Sequence, residues 1–76
     1  MLYALMKTYH DGSVGQSGKT HKQLKRLKNR LKKVRQGYIV QINPDMSKKV
    51  VCARGYSRQA MQAIAGCGVE IIGEGV

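Results

Sequence analysis

Three short constellations in this 76-residue chain carry residue types that chemistry uses. The first is Ser13-Val14-Gly15-Gln16-Ser17-Gly18-Lys19-Thr20, whose glycines and closing Gly-Lys-Thr suit a loop that wraps phosphate in backbone amides. Its opening position is Ser13 where a nucleotide-binding loop needs glycine, because Gly12 falls one residue early. Nucleotide hydrolysis is therefore not expected, but Gly15, Ser17 and Gly18 stand as candidates for holding one phosphate at a helix start. The second is Tyr9-His10-Asp11, at the end of an apolar run. Asp11 is a candidate metal ligand for a nuclease, yet a single carboxylate needs the second copy in a dimer to hold two metals. The third is the pair Cys52 and Cys67, too few and too distant for a zinc set or a disulfide framework. They read as small buried apolar residues in a reducing compartment, which makes a cytoplasmic protein the expectation. Nothing assembles a nucleophile, a base and an orienting group. The chain is expected to be non-enzymatic, with no metal and no cofactor.

Charge is the stronger signal. Fourteen Lys and Arg against four acids leave +10. Lys7 and Asp11 cancel within residues 1–18, and residues 37–76 net only +1, so residues 19–36 hold +9 with no acid at all. Treated as one helix, that stretch places five like-charge pairs three apart and three more four apart. At roughly 0.2–0.5 kcal/mol each they cost about 2–4 kcal/mol. A domain this small has a net stability of only about 3–5 kcal/mol. A polyanion turns that repulsion into attraction, so nucleic-acid phosphates are the expected partner. Lys19, Lys22, Lys25, Arg26, Lys28, Arg30, Lys32 and Lys33 are the expected contacts. Gln23, Asn29 and Gln36 are the only candidates for reading base edges, with Arg26 and Arg30 able to fork onto guanine, so sequence preference should be weak. The alternative is an inhibitor or adaptor docking the same helix on an acidic protein partner, whether or not that partner handles nucleic acid. A membrane is not expected: the chain has no Phe or Trp for an interfacial helix and no apolar run near the ~18 residues of a span. The Met1–Met6 stretch also lacks the basic flank and cleavage site of a secretory leader.

The elements that would position these residues follow from spacing. Leu24, Leu27, Leu31 and Val34 recur three, four and three apart, which predicts a helix over 19–36 with one apolar stripe and Gly37 as its C-terminal cap. Leu2 to Tyr9 reads as a strand followed by a loop to Gly18, although residues 2–18 could instead hold a small hairpin. Tyr38 to Asn43 reads as a second strand with Tyr38, Val40 and Ile42 inward, and Asn43-Pro44-Asp45 turns it into a third, Lys48 to Arg54. A short helix from Ser57 to Ala65 and a strand from Val69 to Gly73 complete a single domain, 1–76. The order βαββαβ predicts an α+β, ferredoxin-like split βαβ fold: a four-stranded antiparallel sheet with two helices on one face. Its open face would expose Ile39, Val51, Ala53 and Ile72, an apolar patch suited to a homodimer or another partner.

That architecture invites comparison with RRM domains, but strand Lys48 to Arg54 has no aromatic on which bases could stack. Gly15-Gln16-Ser17-Gly18 resembles the GXXG clamp of KH domains, which joins two helices rather than a strand and a helix. With the charge on a helix, duplex phosphates are favoured over single strands.

Overall fold

The computed structural model describes residues 1–56, 59–60, 63 and 69–72. Leu2–Thr8 forms β1, and the turn at 9–13 folds the chain back into β2, Val14–Gln16, antiparallel to it. Residues 2–18 thus hold the small hairpin rather than a strand and a loop. Beyond β2 the backbone stays on the edge of β1. Ser17 N–H donates to the Leu5 carbonyl at 2.8 Å, and His21 and Tyr3 exchange bonds of 2.9 and 2.8 Å.

That edge pairing delays the helix. α1 covers Leu24–Leu31, not 19–36. Gln23 precedes it with extended dihedrals and no side-chain cap. Its last turn tightens through bonds to the third residue back, Lys33 N–H to the Arg30 carbonyl and Val34 N–H to the Leu31 carbonyl. Gly37 does not cap it. Gly37 opens β3, Gly37–Ile42, where a Cβ would lie 2.6 Å from the Met6 carbonyl oxygen.

A hairpin joins β3 to β4, Lys48–Arg54, and Glu70–Ile71 forms β5. The sheet has five strands in the order β2-β1-β3-β4-β5, and β4–β5 is parallel. The fold is α+β as expected, and its sheet is five-stranded and mixed where four antiparallel strands were expected. The physical reason is the extra strand. β2 occupies one edge of β1, so β3 takes the other edge, antiparallel and in register from Leu2↔Ile42 to Lys7↔Gly37. Among the described residues α1 is the one helix that can be bounded. Gln59, Ala60 and Ala63 have helical backbone, while the remainder of the helix expected at Ser57–Ala65, Cys67, and Gly73 of the last strand lie outside the described residues.

Leu27 and Leu31 are fully buried and pack with Leu5, Ile39, Cys52 and Ile72, flanked by Tyr3, Leu24, Val34 and Val51. The patch expected to be open at Ile39, Val51, Ala53 and Ile72 is corrected accordingly: Ile39 and Ala53 are fully buried, Ile72 nearly so, and Val51 packs against the core. At Ile39 the phase of β3 is one residue off the expected one, and at Val51 the cause is one irregularity. Ile39 faces Cys52 but Val40 faces Val50, so Val51 is an extra residue on β4 and the alternation breaks there. The opposite face buries Ala4, Val40 and Ala53, with Tyr38 and Tyr56 rings 6.2 Å apart. No described helix is long and apolar enough to cross a membrane.

Candidate functional site

With Leu27 and Leu31 pressed on the sheet, the helical period fixes where the cations of α1 go. Lys25, Arg26 and Asn29 fall on the exposed side, and Lys28 and Arg30 on the two flanks, half-buried. The flanks are tied to opposite edges of the sheet. Arg30 donates from Nη2 to Ser17 Oγ at 3.3 Å, just past β2, and its guanidinium occupies the space a Cβ would need at Gly18. Lys28 Nζ lies 2.8 Å from Glu70 Oε2 on β5. That ammonium holds the Glu70 carboxyl below the usual carboxylate range, and Glu70 in turn raises Lys28. Beneath the pair, burial pushes the Cys52 thiol up to about 11, against the smaller opposing pull of Lys28. Such a thiol is protonated and unreactive near neutrality. Arg54 is tied as well, donating from Nε to the Val34 carbonyl at 3.0 Å.

Lys28–Glu70 is the one ion pair among the described residues. The acid missing from 19–36 is supplied across the fold, among the described residues to Lys28 alone. Lys19, Lys22, Lys25, Arg26, Lys32, Lys33 and Arg35 are exposed and have no acidic partner among the described residues. Arg26 has only a neutral contact, from Nε to Gln23 Oε1 at 3.2 Å. Grooves run beside this crest: one of ≈ 420 Å³ between Lys25, Lys28, Asn29, Lys32 and β5, and a smaller one of ≈ 240 Å³ at His21, Lys22, Gln23 and Arg26.

Several expectations change with this geometry. Lys19 and Lys22 lie on the segment that follows β2, not on the helix, because that backbone is spent on β1. Three like-charge pairs remain within the helix and its C-cap: Lys25–Lys28, Arg26–Arg30 and Lys28–Lys32. The repulsion falls to about 1 kcal/mol. The phosphate loop at Gly15, Ser17 and Gly18 is not at a helix start: Gly15 sits in β2, Ser17 N–H is bonded to Leu5, and Arg30 covers Gly18. Of the base-reading candidates, Gln36 donates to the Gly55 carbonyl at 3.3 Å and Gln23 accepts from Arg26, which leaves Asn29.

Asp11 has a turn to build. Its Oδ1 accepts from Ser13 N–H at 2.9 Å and Ser13 Oγ at 2.6 Å, which keeps its carboxyl below the ordinary range. Asp45 does the same with Ser47 at 3.0 and 2.6 Å in the other hairpin, so the arrangement is a turn device used twice. No three His, Cys, Asp or Glu among the described residues converge on a possible metal position.

One feature was beyond any local pattern. The β1–β3 pairing sets Lys7, Thr8, Tyr9 and His10 against Lys33, Val34, Arg35 and Gln36 around a shallow cleft of ≈ 470 Å³. Lys7 and His10 lie more than 20 positions from Lys33 and Arg35, and the strand register brings the two groups together. Neither a protein family, nor a curated protein, nor a solved structure matches the chain.

Proposed function

We propose that the protein binds nucleic acid through its phosphates, as a non-enzymatic module, with the exposed cations between Lys19 and Arg35 as the contact surface. Duplex is the favoured form and sequence preference is weak, because Asn29 is the one amide side chain on the crest without a contact among the described residues. The reading is carried by a sorting of charge: the cations that the fold uses point sideways into the sheet edges, and those it does not use point outward together. A protein with solubility as its only need mixes both signs on such a surface. Cations set against a phosphate backbone release condensed counterions, which makes binding steeply salt-dependent.

The test is fluorescence anisotropy with unrelated DNA and RNA duplexes across a salt series. Four or five phosphate contacts give a slope of log K against log salt of roughly −4 to −5, similar for every sequence. Absence of binding at low salt overturns the reading and leaves the same cations for an acidic protein surface.

A further inference from the structure

The cleft beside β1 extends this reading to a second site. We propose that the cleft formed by Lys7, Tyr9, His10, Lys33 and Arg35 takes the terminal phosphate of a nucleic-acid strand, while the crest of α1 holds the internal phosphodiesters. The inference rests on the nucleic-acid reading above.

Three observations carry it. The first is convergence: three permanent cations and an imidazole line one cleft, and no acid is among its described lining residues. The nearest acid in sequence, Asp11, is already engaged by Ser13. A terminal phosphate carries about −1.5 to −2 near neutrality. It matches three cations better than a singly charged phosphodiester does.

The second is that two of these cations, Lys33 and Arg35, have no other work among the described residues. Lys33 and Arg35 follow a helix C-terminus, where basic side chains ordinarily serve the last carbonyls. Here other donors take five of the carbonyls at that end: amides for Lys28, Arg30 and Leu31, Arg54 for Val34, and Thr8 N–H for Gln36 at 3.1 Å. Among the described residues neither Lys33 nor Arg35 has a side-chain partner.

The third is that the far wall is preset. The Tyr9 hydroxyl donates to the Gln16 carbonyl at 3.3 Å, and a Cβ at Gly15 would lie 3.2 Å from its ring. Lys7 Nζ sits 5.0 Å from the centre of the same ring. Such a wall binds a charged group without first ordering long side chains. The volume is within the ~300–1,000 Å³ of small-ligand sites, enough for a phosphate and part of its sugar.

The experiment compares one duplex bearing 5′-phosphate, 3′-phosphate or only hydroxyl ends, with inorganic phosphate as a separate probe followed by NMR. A phosphorylated end should tighten binding by roughly five- to tenfold. The gain should vanish in Lys33→Ala/Arg35→Ala and persist in Lys25→Ala/Arg26→Ala, although the latter weakens every duplex. Inorganic phosphate should move the Tyr9 and His10 resonances before those of Lys25 and Arg26. Equal affinity for all three ends, or a preference that survives Lys33→Ala/Arg35→Ala, overturns the cleft while leaving the crest intact. If no duplex binds at low salt, the parent reading fails. In that case, movement of Tyr9 and His10 by inorganic phosphate still supports the cleft, and stillness refutes it.

Discussion

Two sets of cations lie within one short stretch of chain, and the fold treats them oppositely. Lys28, Arg30 and, from β4, Arg54 reach sideways and are held by Glu70, Ser17 and the Val34 carbonyl. Lys22, Lys25 and Arg26 are just as basic, yet they face solvent with no acid beside them among the described residues. The difference shows that density of charge in a sequence does not by itself mark a binding surface. Some of that charge fastens a thin helix to a sheet. What marks the surface is the remainder, once the fastening is subtracted. The first set should therefore govern stability and the second binding.

The largest effect belongs to the free set. Lys22→Ala/Lys25→Ala/Arg26→Ala should weaken duplex binding by on the order of 30- to 100-fold at ~0.1 M salt and flatten the salt slope by about 3. Its thermal midpoint should not fall. A variant that unfolds, or one that keeps the original slope, erases the distinction.

The tied set should give the mirror result. Arg54→Ala leaves the half-buried Val34 carbonyl without its side-chain donor, at a cost of about 1–3 kcal/mol. In a domain of this size that is a large share of the whole. Its salt slope, measured well below the lowered midpoint, should match the parent protein. Urea denaturation beside the anisotropy titration reads both quantities, and a changed slope would place Arg54 on the binding surface.

How much of this was legible in the residues themselves divides along the same line. Local signals were sufficient where chain neighbours decide: Asn43-Pro44-Asp45 predicted the β3–β4 hairpin, Lys48 to Arg54 came out as β4 with its expected ends, and Leu24, Leu27 and Leu31 are the face that packs. Signals failed where a distant partner decides. Lys19 to Gln23 has helical spacing, but the Tyr3–His21 and Ser17–Leu5 bonds claim that backbone for the edge of β1. Glu70 lies 42 positions from Lys28, so the relief it gives cannot be seen in helical spacing. Gly37 has the composition of a cap and the job of a strand opening against Met6. One bulged residue, Val51, breaks the alternation of β4 and so packs on the core instead of the open face.

Moving a residue from one set to the other is a finer test. Glu70→Gln removes the acid from Lys28 and adds a free cation beside the groove at Lys25 and Lys32. Affinity should rise about two- to fivefold, with a salt slope steeper by up to about 1. The pH dependence has a definite sign. Because Lys28 lowers the folded-state value for Glu70, the pair's contribution is present above the ordinary carboxylate range and is lost as pH falls through the lowered value. Any stability difference between parent and Glu70→Gln should shrink over that acidic window. A tighter-binding variant with an unchanged slope would show that Lys28 never joins the surface.

The smallest effect asks whether the free cations burden the fold that carries them. Arg26 and Arg30 stand four apart on α1, and neither has an acid partner among the described residues. Lys25 and Lys28 stand three apart, but Glu70 already cancels part of the Lys28 charge. Removing Arg26 should therefore relieve more repulsion than removing Lys25. Arg26→Gln should stabilise by about 0.2–0.5 kcal/mol, and Lys25→Gln by less. At the 4–8 °C per kcal/mol typical of small domains, the first is a rise of about 1–4 °C in Tm at low ionic strength, and it should disappear in salt. The Arg26 bond to Gln23 is exposed and opposes this only weakly. If Lys25→Gln gave the larger rise, Glu70 would not be screening Lys28, and the division between fastened and free charge would lose its physical basis.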